Sequence, residues 1–303
     1  MRYLVTGASG FVGSRLTRYL SERGDQVVAS FVGAAPVDPV CEMFPADILD
    51  AAAVREVIDR VRPDAIIHLA GLSHVGASWD RVSAYFRVNV LGTRNVLQAA
   101  ADARVVLASS AEVYGLVPEH RQPILERTDV DPRNPYAMSK AAAELLAIEY
   151  GAVIARSFNL IGPGQSRDFA LPSFADQLAR ISRGDSEPVL KVGNLEAQRD
   201  FLHVDDALEA LRLLAVEGRP GEAYNIGSGK ARSIREVLDL LLVVSEVAAR
   251  AEMDPDRFRP VDIPKTCADV SRLSALGWSP QRDVHQAVRD LWHSALARVE
   301  SEG

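Results

Sequence analysis

The sequence predicts an α/β fold in which a doubly wound parallel sheet is followed by a smaller C-terminal α/β region. Strand-like apolar runs alternate with helical patterns through the first half of the chain. Three glycines separate the first strand from the first helix, and the alternation stops after 162–165. Apolar strands separated by helices are typical of a parallel sheet covered on both faces, and right-handed crossovers make such a sheet doubly wound.

The first region contains the regular alternation. Its predicted strands are 2–7, 25–32, 64–70, 104–110 and 152–162. A helix at 10–23 places Phe11, Leu16 and Leu20 on one side. Further helices are predicted at about 51–61, 81–101 and 136–150.

A boundary is predicted between region 1–165 and region 166–303. The helix at about 205–217 belongs to the second region but is expected to pack back on the first. Asp206 and Glu209 have the spacing of a capping box at its start. The other predicted elements of the second region are a helix at 172–183, the short strand AYNIG and a helix near 233–250.

Composition excludes several classes of function. The chain has 303 residues, 48% hydrophobic and 25% charged, with a net charge of −7, which argues against general binding to nucleic acid. Cys41 and Cys267 lack the spacing of a zinc site or a disulfide framework. No apolar run reaches the roughly 18 residues of a membrane span, and the first strand begins too early for a signal peptide. We expect a cytoplasmic protein without nucleic-acid or membrane partners.

The segment TGASGFVGS has glycines at positions 7, 10 and 13, between a strand and a helix. In that setting the first glycine forms the turn and the second admits a pyrophosphate. The third lets the helix approach the strand, and the helix N-terminus offers free N–H groups to the anion. The spacing predicts dinucleotide binding by Gly7, Gly10 and Gly13, although a purely structural turn would use the same residues.

The second strand ends without the acid that bonds the adenosine ribose in many dinucleotide sites, since Ser30 and Phe31 stand there. This permits NADP, and Arg15 on the first helix is a candidate for its 2′-phosphate. We expect NADP, with NAD as the alternative. Asp47 is a candidate adenine contact, or a helix cap together with Asp50.

Tyr136 and Lys140 lie at i and i+4 of a helix that begins after Asn134 and Pro135. A neighbouring ammonium favours a phenolate, so the spacing predicts that Lys140 lowers the pKa of Tyr136 and makes it an acid/base group. Many such pairs are solvated surface residues. This one follows the strand VVLASS, and open α/β sheets bind ligands at the carboxyl ends of their strands.

The glycine stretch, HLAG at 68–71, SSAEVYG at 109–115, Tyr136-x-x-x-Lys140 and RSFNLIGPGQ resemble the nucleotide-sugar branch of the extended short-chain dehydrogenases/reductases, whose sheet is Rossmann-like. The resemblance covers essentially the whole chain. NLIGPGQS, KVGNLEAQRDF and FRPVDIP are most similar to the GDP-mannose 4,6-dehydratases and the GDP-6-deoxy-4-keto-mannose reductases.

This resemblance implies a catalytic set of Ser110, Tyr136 and Lys140. Glu112 matches the base that dehydratases use at C5, and in a reductase it would orient the substrate. Ala111 stands where dTDP-glucose dehydratases have an aspartate, which argues against that type.

The resemblance also implies binding residues. Those expected at the cofactor are Gly7, Gly10, Phe11, Val12, Gly13, Asp47, Ile48, Leu69, Ala70, Gly71, Asn89, Tyr136 and Lys140. Those expected at the nucleotide-sugar are Ser73, Asn159, Lys191, Asn194, Arg199, Arg259 and Asp262. His68 is interpreted as a satisfied core histidine, Asp205 and Asp206 as helix caps, and no metal site is expected.

The implied function is reduction of the C4 carbonyl of a GDP-6-deoxy-4-keto-hexose by NAD(P)H. The product is GDP-D-rhamnose or its C4 epimer. The alternatives, in order, are a GDP-mannose 4,6-dehydratase, a nucleotide-sugar 4-epimerase and a non-catalytic NADP-binding sensor. A homodimer through helices 81–101 and 136–150 is also implied. The apolar residues expected in its interface are Val88, Leu91, Val96, Leu145 and Ile148.

Overall fold

A computed structural model describes residues 1–33, 39–257 and 263–302. Its strands are β1 (Arg2–Thr6), β2 (Gln26–Phe31), β3 (Glu42–Pro45), β4 (Ala65–His68), β5 (Arg104–Ser110), β6 (Val153–Ser157), β7 (Asn159–Ile161), β8 (Val189–Val192), β9 (Gln198–His203), β10 (Ala223–Ile226), β11 (Ala231–Ser233) and β12 (Arg250–Met253).

The helices of the described residues are α1 (Phe11–Glu22), α2 (Ala51–Val61), α3 (Val75–Ser78), α4 (Val82–Phe86), α5 (Thr93–Ala99), α6 (Pro135–Glu149), α7 (Ala170–Ser182), α8 (Val204–Glu217), α9 (Ile234–Ser245), α10 (Ser271–Ser274) and α11 (Val284–Glu302). A π-helical segment spans Arg87–Gly92, and short 3₁₀ turns span Ala111–Tyr114, Glu119–Arg121 and Pro255–Arg257. Among the described residues, no helix combines the length and apolar character needed to cross a membrane.

The largest sheet has seven parallel strands in the order β10-β6-β5-β4-β1-β2-β3. Helices α1 and α8 cover one face, and α2, α5 and α6 cover the other. All four residues of β4 are therefore buried. The predicted doubly wound α/β class is confirmed. The chain direction along the sheet reverses between β1 and β4, and ligands bind in open α/β sheets at the carboxyl ends of such strands.

The helix predicted at 81–101 runs without a break from Val82 to Ala99 but is not α-helical throughout. It consists of α4, a π-helical segment and α5. Inside the π-helical segment Asn89 is 1% exposed, and its amide accepts from Leu72 N at 2.8 Å and donates to Leu72 O at 3.0 Å. The π-helical segment therefore coincides with the two hydrogen bonds between Asn89 and Leu72. These bonds depend on a contact outside the helix, so the local apolar periodicity does not predict the segment.

The run predicted as one strand at 152–162 divides into two strands. β6 belongs to the large sheet, whereas β7 pairs with β9 in a three-stranded sheet that also contains β11. β12 pairs with β8 in a separate ribbon. These small sheets and helices α7, α9 and α11 enclose a second hydrophobic core.

The chain returns to the large sheet after β9. Helix α8 packs against it through Leu208, Leu211 and Leu214, and AYNIG forms β10, the strand beside β6 at one edge. The division at residue 165 remains a prediction. Each of the two described cores contains residues from both sides of that position.

The predicted capping of α8 by Asp205 and Asp206 is wrong. The N-cap is His203, whose side chain accepts from Asp205 N at 3.0 Å. Asp206 is fully buried and accepts hydrogen bonds from the backbone and guanidinium of Arg282. Asp205 pairs with Arg15 at 2.6 Å. Both carboxylates therefore pair with arginines that are distant in sequence, so the local pattern around α8 does not predict these partners.

Candidate active site

The glycine turn after β1 leaves backbone where side chains would collide. Gly7 has φ +74°, and a Cβ there would lie 2.7 Å from Ala70 N. At Gly13 a Cβ would lie 2.2 Å from Gly7 O. Gly10 is the N-cap of α1 and no side chain caps that end, so the N–H groups of the first turn, which include Phe11 and Val12, stay available. These features fit the pyrophosphate of a dinucleotide.

Arg15, the candidate for the 2′-phosphate of NADP, is already paired with a carboxylate. Its guanidinium is committed to Asp205 through two hydrogen bonds, 2.6 and 3.1 Å long, and so is directed to α8. Ser30 is buried at the end of β2. Asp47 accepts from Leu49 N at 2.9 Å, while Asp50 alone caps α2.

Ile48 contributes packing rather than an open contact surface. It is 4% exposed, and a Cβ at Gly92 would lie 2.5 Å from its Cδ1. Its side chain thus fills the core between α2 and α5, and its carbonyl accepts from Asn95 Nδ2 at 2.9 Å.

A directed chain of hydrogen bonds runs through His68 behind the turn. Thr93 Oγ1 donates to Asn89 O at 2.6 Å, so the 3.1 Å contact between His68 Nε2 and Thr93 Oγ1 requires the proton on Nε2. Nδ1 then accepts from Thr6 Oγ1 at 2.7 Å. Burial, together with the charge of Lys140, lowers the pKa of His68 to about 3. His68 is therefore a neutral, satisfied core histidine.

The loop after β4 lies against α6. A Cβ at Gly71 would lie 2.9 Å from Asn89 Oδ1 and 3.4 Å from Lys140 Nζ. Asn89 Nδ2 also donates to Ser139 Oγ at 2.9 Å, and Ser139 Oγ donates to Tyr136 O at 2.7 Å. The loop after β4, the π-helical segment and α6 are thereby joined.

Tyr136 and Lys140 project from α6 at the carboxyl end of β5, where Ser110 stands, and both are 7% exposed. Burial raises the pKa of Tyr136 to about 12, the negative charge of Glu112 adds to this, and a hydrogen bond with Ser110 opposes it. The predicted net lowering of the Tyr136 pKa is wrong, because burial and the charge of Glu112 outweigh the opposing influences, and Lys140 Nζ donates to Ala108 O at 2.8 Å. Burial lowers the pKa of Lys140 itself to about 8, and Glu144 opposes that shift.

Glu112 follows Ser110 in a 3₁₀ turn that Ser110 caps, with Glu112 N donating to Ser110 Oγ at 3.2 Å. Asn134 Nδ2 donates to Glu112 Oε2 at 2.9 Å, and Asn134 Oδ1 caps α6 by accepting from Ala137 N at 2.8 Å. The Asn134 side chain, which caps α6, therefore also holds the Glu112 carboxylate in place. Sequence reasoning gave Asn134 only the role of a helix start.

A cleft of about 560 Å³ lies between the large sheet and the second core. Of the residues predicted for the nucleotide-sugar, Asn159, Asn194 and Arg199 line it. Lys191 does not, since its ammonium pairs with Glu252 at 2.5 Å. Ser73 is exposed outside the lining, although its neighbour His74 contributes to it. Arg259 and Asp262 lie outside the described residues.

The cleft wall contains His74, which follows HLAG together with Ser73 and is likewise a candidate sugar contact, and further residues that sequence reasoning missed. The side chains with charge, ring or hydrogen-bonding capacity, besides His74, are Trp79, Asp80, Gln165, Arg167, Asp168, Phe169, Ser173, Phe174, Phe201, Asp256 and Arg257. Arg257 stands two positions before Arg259 in the arginine-rich sequence DRFRPVDIP, which was the available signal. The N-terminus of α7 lies in this wall, and Phe169, its N-cap, provides no side-chain cap. Its free N–H groups and the arginines suit an anionic ligand.

Tyr85 lies between the cleft and Tyr136. Tyr85 OH donates to the backbone oxygen of His74, a residue of the cleft wall, at 2.5 Å. Its ring meets the Tyr136 ring edge-on with centroids 6.3 Å apart. Among the described residues, no group of three acidic, histidine or cysteine side chains is arranged to hold a metal ion.

Comparison with known proteins places this arrangement in a family. The model of the GDP-mannose 4,6-dehydratase family matches residues 4–291. GDP-6-deoxy-D-mannose reductase of Pseudomonas aeruginosa is 36% identical over 99% of both chains. GDP-6-deoxy-D-talose 4-dehydrogenase of Aggregatibacter actinomycetemcomitans is 28% identical over 90% of both chains.

Solved structures agree in fold. That of RMD from Pseudomonas aeruginosa complexed with NADPH superposes with a TM-score of 0.87 at 34% identity, over 98% of both chains. UDP-glucose 4-epimerase of Thermus thermophilus with NAD gives 0.85 at 28% identity, over 97% of this chain and 99% of that one. The family model covers nearly the full chain, and the resemblance seen in the sequence is confirmed: the chain belongs to the GDP-mannose 4,6-dehydratase family of the extended short-chain dehydrogenases/reductases.

Proposed function

We propose that this chain reduces the C4 carbonyl of a GDP-6-deoxy-4-keto-hexose, with Tyr136 as the proton donor. The observation that carries the proposal is a buried Tyr136 phenol that lies beside Ser110 at the carboxyl end of β5. NADP(H), or NAD(H) as the alternative, supplies hydride when bound; two relatives were solved with NADPH and with NAD. Gly7, Gly10 and Gly13 would hold its pyrophosphate.

A protonated Tyr136 phenol is suited to act as the acid of a reduction. Reduction of a carbonyl leaves negative charge on O4, which a phenol neutralises by giving up its proton. An enzyme that begins by oxidising a hydroxyl needs a base at the same place. A pKa raised to about 12 keeps Tyr136 protonated at neutral pH. Ser110 polarises the carbonyl, and the buried Lys140 ammonium stabilises the charge that develops on Tyr136.

The cleft would receive the nucleotide part of the substrate. Arg199 and Arg257 line it together with the N-terminus of α7, and these groups suit a pyrophosphate. Guanine and the deoxyhexose are inferred from the relatives, which act on GDP-6-deoxy-D-mannose and GDP-6-deoxy-D-talose. The product is therefore GDP-D-rhamnose or its C4 epimer.

The test is Tyr136→Phe, with Tyr150→Phe at the half-exposed end of the same helix as the control. Without the phenolic proton, NADPH oxidation by the keto-sugar is expected to fall about 10²- to 10⁴-fold. Binding of GDP-mannose should change less than about twofold, since its nucleotide part would bind in the cleft, which Tyr136 does not line. Full activity of Tyr136→Phe would overturn the proposal.

A dehydratase acting on GDP-mannose is the second candidate, because Asn134 holds the Glu112 carboxylate close to Tyr136. Such an enzyme uses a base at C5 and needs no added reductant. Incubation with GDP-mannose and catalytic NADP distinguishes the two. A 4-keto product formed without NADPH identifies a dehydratase, whereas NADPH consumption that requires the keto-sugar identifies a reductase.

We also propose that the chain forms a homodimer through α6 and the segment from α4 to α5. Leu91, Leu145 and Ile148 are 43%, 70% and 42% exposed there, and Phe86 and Met138 are exposed beside them. Such apolar side chains on neighbouring helices are typical of an interaction site. Val96, predicted for this interface, is fully buried in the protomer core, because it faces α2 rather than solvent.

A further inference from the structure

Three residues of α6 are bonded to three consecutive residues of β5. Tyr136, Lys140 and Glu144 are spaced by four and therefore lie on one stripe of the helix. The Tyr136 phenol lies beside Ser110, and Lys140 Nζ donates to Ala108 O. Glu144 accepts a short hydrogen bond from Ser109 Oγ. The first two residues of this stripe belong to the predicted catalytic set, whereas the third has no role in the function proposed above.

Glu144 is a buried carboxylate whose partners surround it. It is 3% exposed, and Arg156 on β6 donates to it through Nε at 3.0 and 3.2 Å and through Nη2 at 2.7 Å. Arg156 Nη1 in turn donates to Tyr114 OH and to Glu126 O, both at 3.0 Å. A buried ion pair gains little stability over apolar residues of the same size. Its presence beside Lys140 therefore suggests a role in the site.

The charge of Glu144 acts directly on Lys140. Burial disfavours the Lys140 ammonium, and the resolved influence opposing burial is the carboxylate of Glu144, one helical turn away. Neutral His68 approaches from β4, where Lys140 disfavours its protonation. The titratable and charged groups around Lys140 are thus Glu144 on α6, Arg156 on β6, His68 on β4, and Tyr136 and Glu112 at the catalytic end.

Resting on the proposed function, we propose that Glu144 is a positioning residue, which keeps the Lys140 ammonium charged and holds the end of β5 in register with α6. It touches neither substrate nor cofactor. Its effect reaches the reaction through Lys140, which needs its positive charge to stabilise the developing Tyr136 phenolate, and through Ser109, the neighbour of Ser110.

The chain contains four lysines, at 140, 191, 230 and 265, so the ε-carbon signals of ¹³C-lysine report Lys140 directly. Lys140 is buried, and the other three are exposed or half-exposed. Lys140→Arg assigns its signal. In the wild type without ligands the midpoint should lie at about 8. In Glu144→Gln it should fall by about one pH unit, because an opposite charge has been removed.

Asp206→Asn is the matched control, since Asp206 is another fully buried carboxylate bonded to an arginine, on α8. It should lose comparable stability and leave the Lys140 midpoint unchanged. Glu144→Gln with Arg156→Met removes both buried charges and is measured if the single variant does not fold. The midpoint should fall in this variant as well. An unchanged or raised midpoint in the folded variants would refute the proposal.

Kinetics give a second readout. With a midpoint one unit lower, kcat/KM of Glu144→Gln should fall about fivefold at pH 8 and by little at pH 6, because only the charged fraction of Lys140 changes. A purely structural role predicts the same loss at both pH values, and that result would also count against the proposal. If the wild type does not reduce the keto-sugar, the proposed function fails while the lysine titration still decides the role of Glu144.

Discussion

His68 shows how burial can determine the chemistry of one residue. Its pKa is about 3 in the folded protein and 6.5 in an unfolded chain. Between these values the unfolded chain binds a proton that the folded protein does not, so stability falls as the pH drops below 6.5 and is constant above about 7.

This linkage predicts a loss of roughly 2 kcal/mol in the free energy of unfolding between pH 7 and pH 5 from His68 alone. Urea denaturation at the two pH values measures it. His68→Gln, whose amide can both donate and accept, should lack this part of the pH dependence. His120→Gln, which alters an exposed histidine, should retain it. Equal pH dependence in both variants and the wild type would contradict the assignment.

Single residues also mark the limit of prediction from sequence. Tyr136, Lys140 and Ser110 were identified by motif, and the fold brings them to one strand end. The direction of the Tyr136 pKa shift was not predictable, because it depends on burial and on Glu112. Arg15 binds Asp205, 190 positions away, and no local pattern contains that information.

At the scale of elements, the start of α6 has two functions that substitutions can separate. Asn134 caps the helix through Oδ1 and holds Glu112 through Nδ2. Asn134→Ala should lower the free energy of unfolding by about 1 kcal/mol, since it removes the cap. Asn134→Ser retains a capping oxygen and should stay close to wild type in the same denaturation experiment. Equal stability losses for the two variants would show that the cap is not the source.

Elements with strong local signals were predicted well. α2 begins and ends where the helix at 51–61 was expected, and β5 has its predicted bounds. The π-helical segment and the division between β6 and β7 were missed. Both depend on partners distant in sequence: Leu72 for Asn89, and β9 for β7. Helical periodicity and apolar runs record which face is buried, but not these partners.

For the molecule as a whole, the proposed dimer predicts a sharp contrast between two exposed residues. Leu145 on α6 and Val243 on α9 are 70% and 75% exposed. Leu145→Arg would place a charge in the apolar interface and should shift the mass measured by light scattering from dimer to monomer. Val243→Arg should leave the mass unchanged. A wild-type monomer, or a dimer unaffected by Leu145→Arg, would exclude this interface.

The chain passes between the two hydrophobic cores several times. After β9, helix α8 and strand β10 belong to the core of the large sheet, and α9 then belongs to the second core. Trp278 packs in the core of the large sheet again, and α11 packs in the second core. A single proteolytic nick in one connection would therefore leave other covalent links between the halves. Nicked protein should migrate as an intact particle until denaturant is added, and gene fragments ending near residue 165 should fail to give folded material.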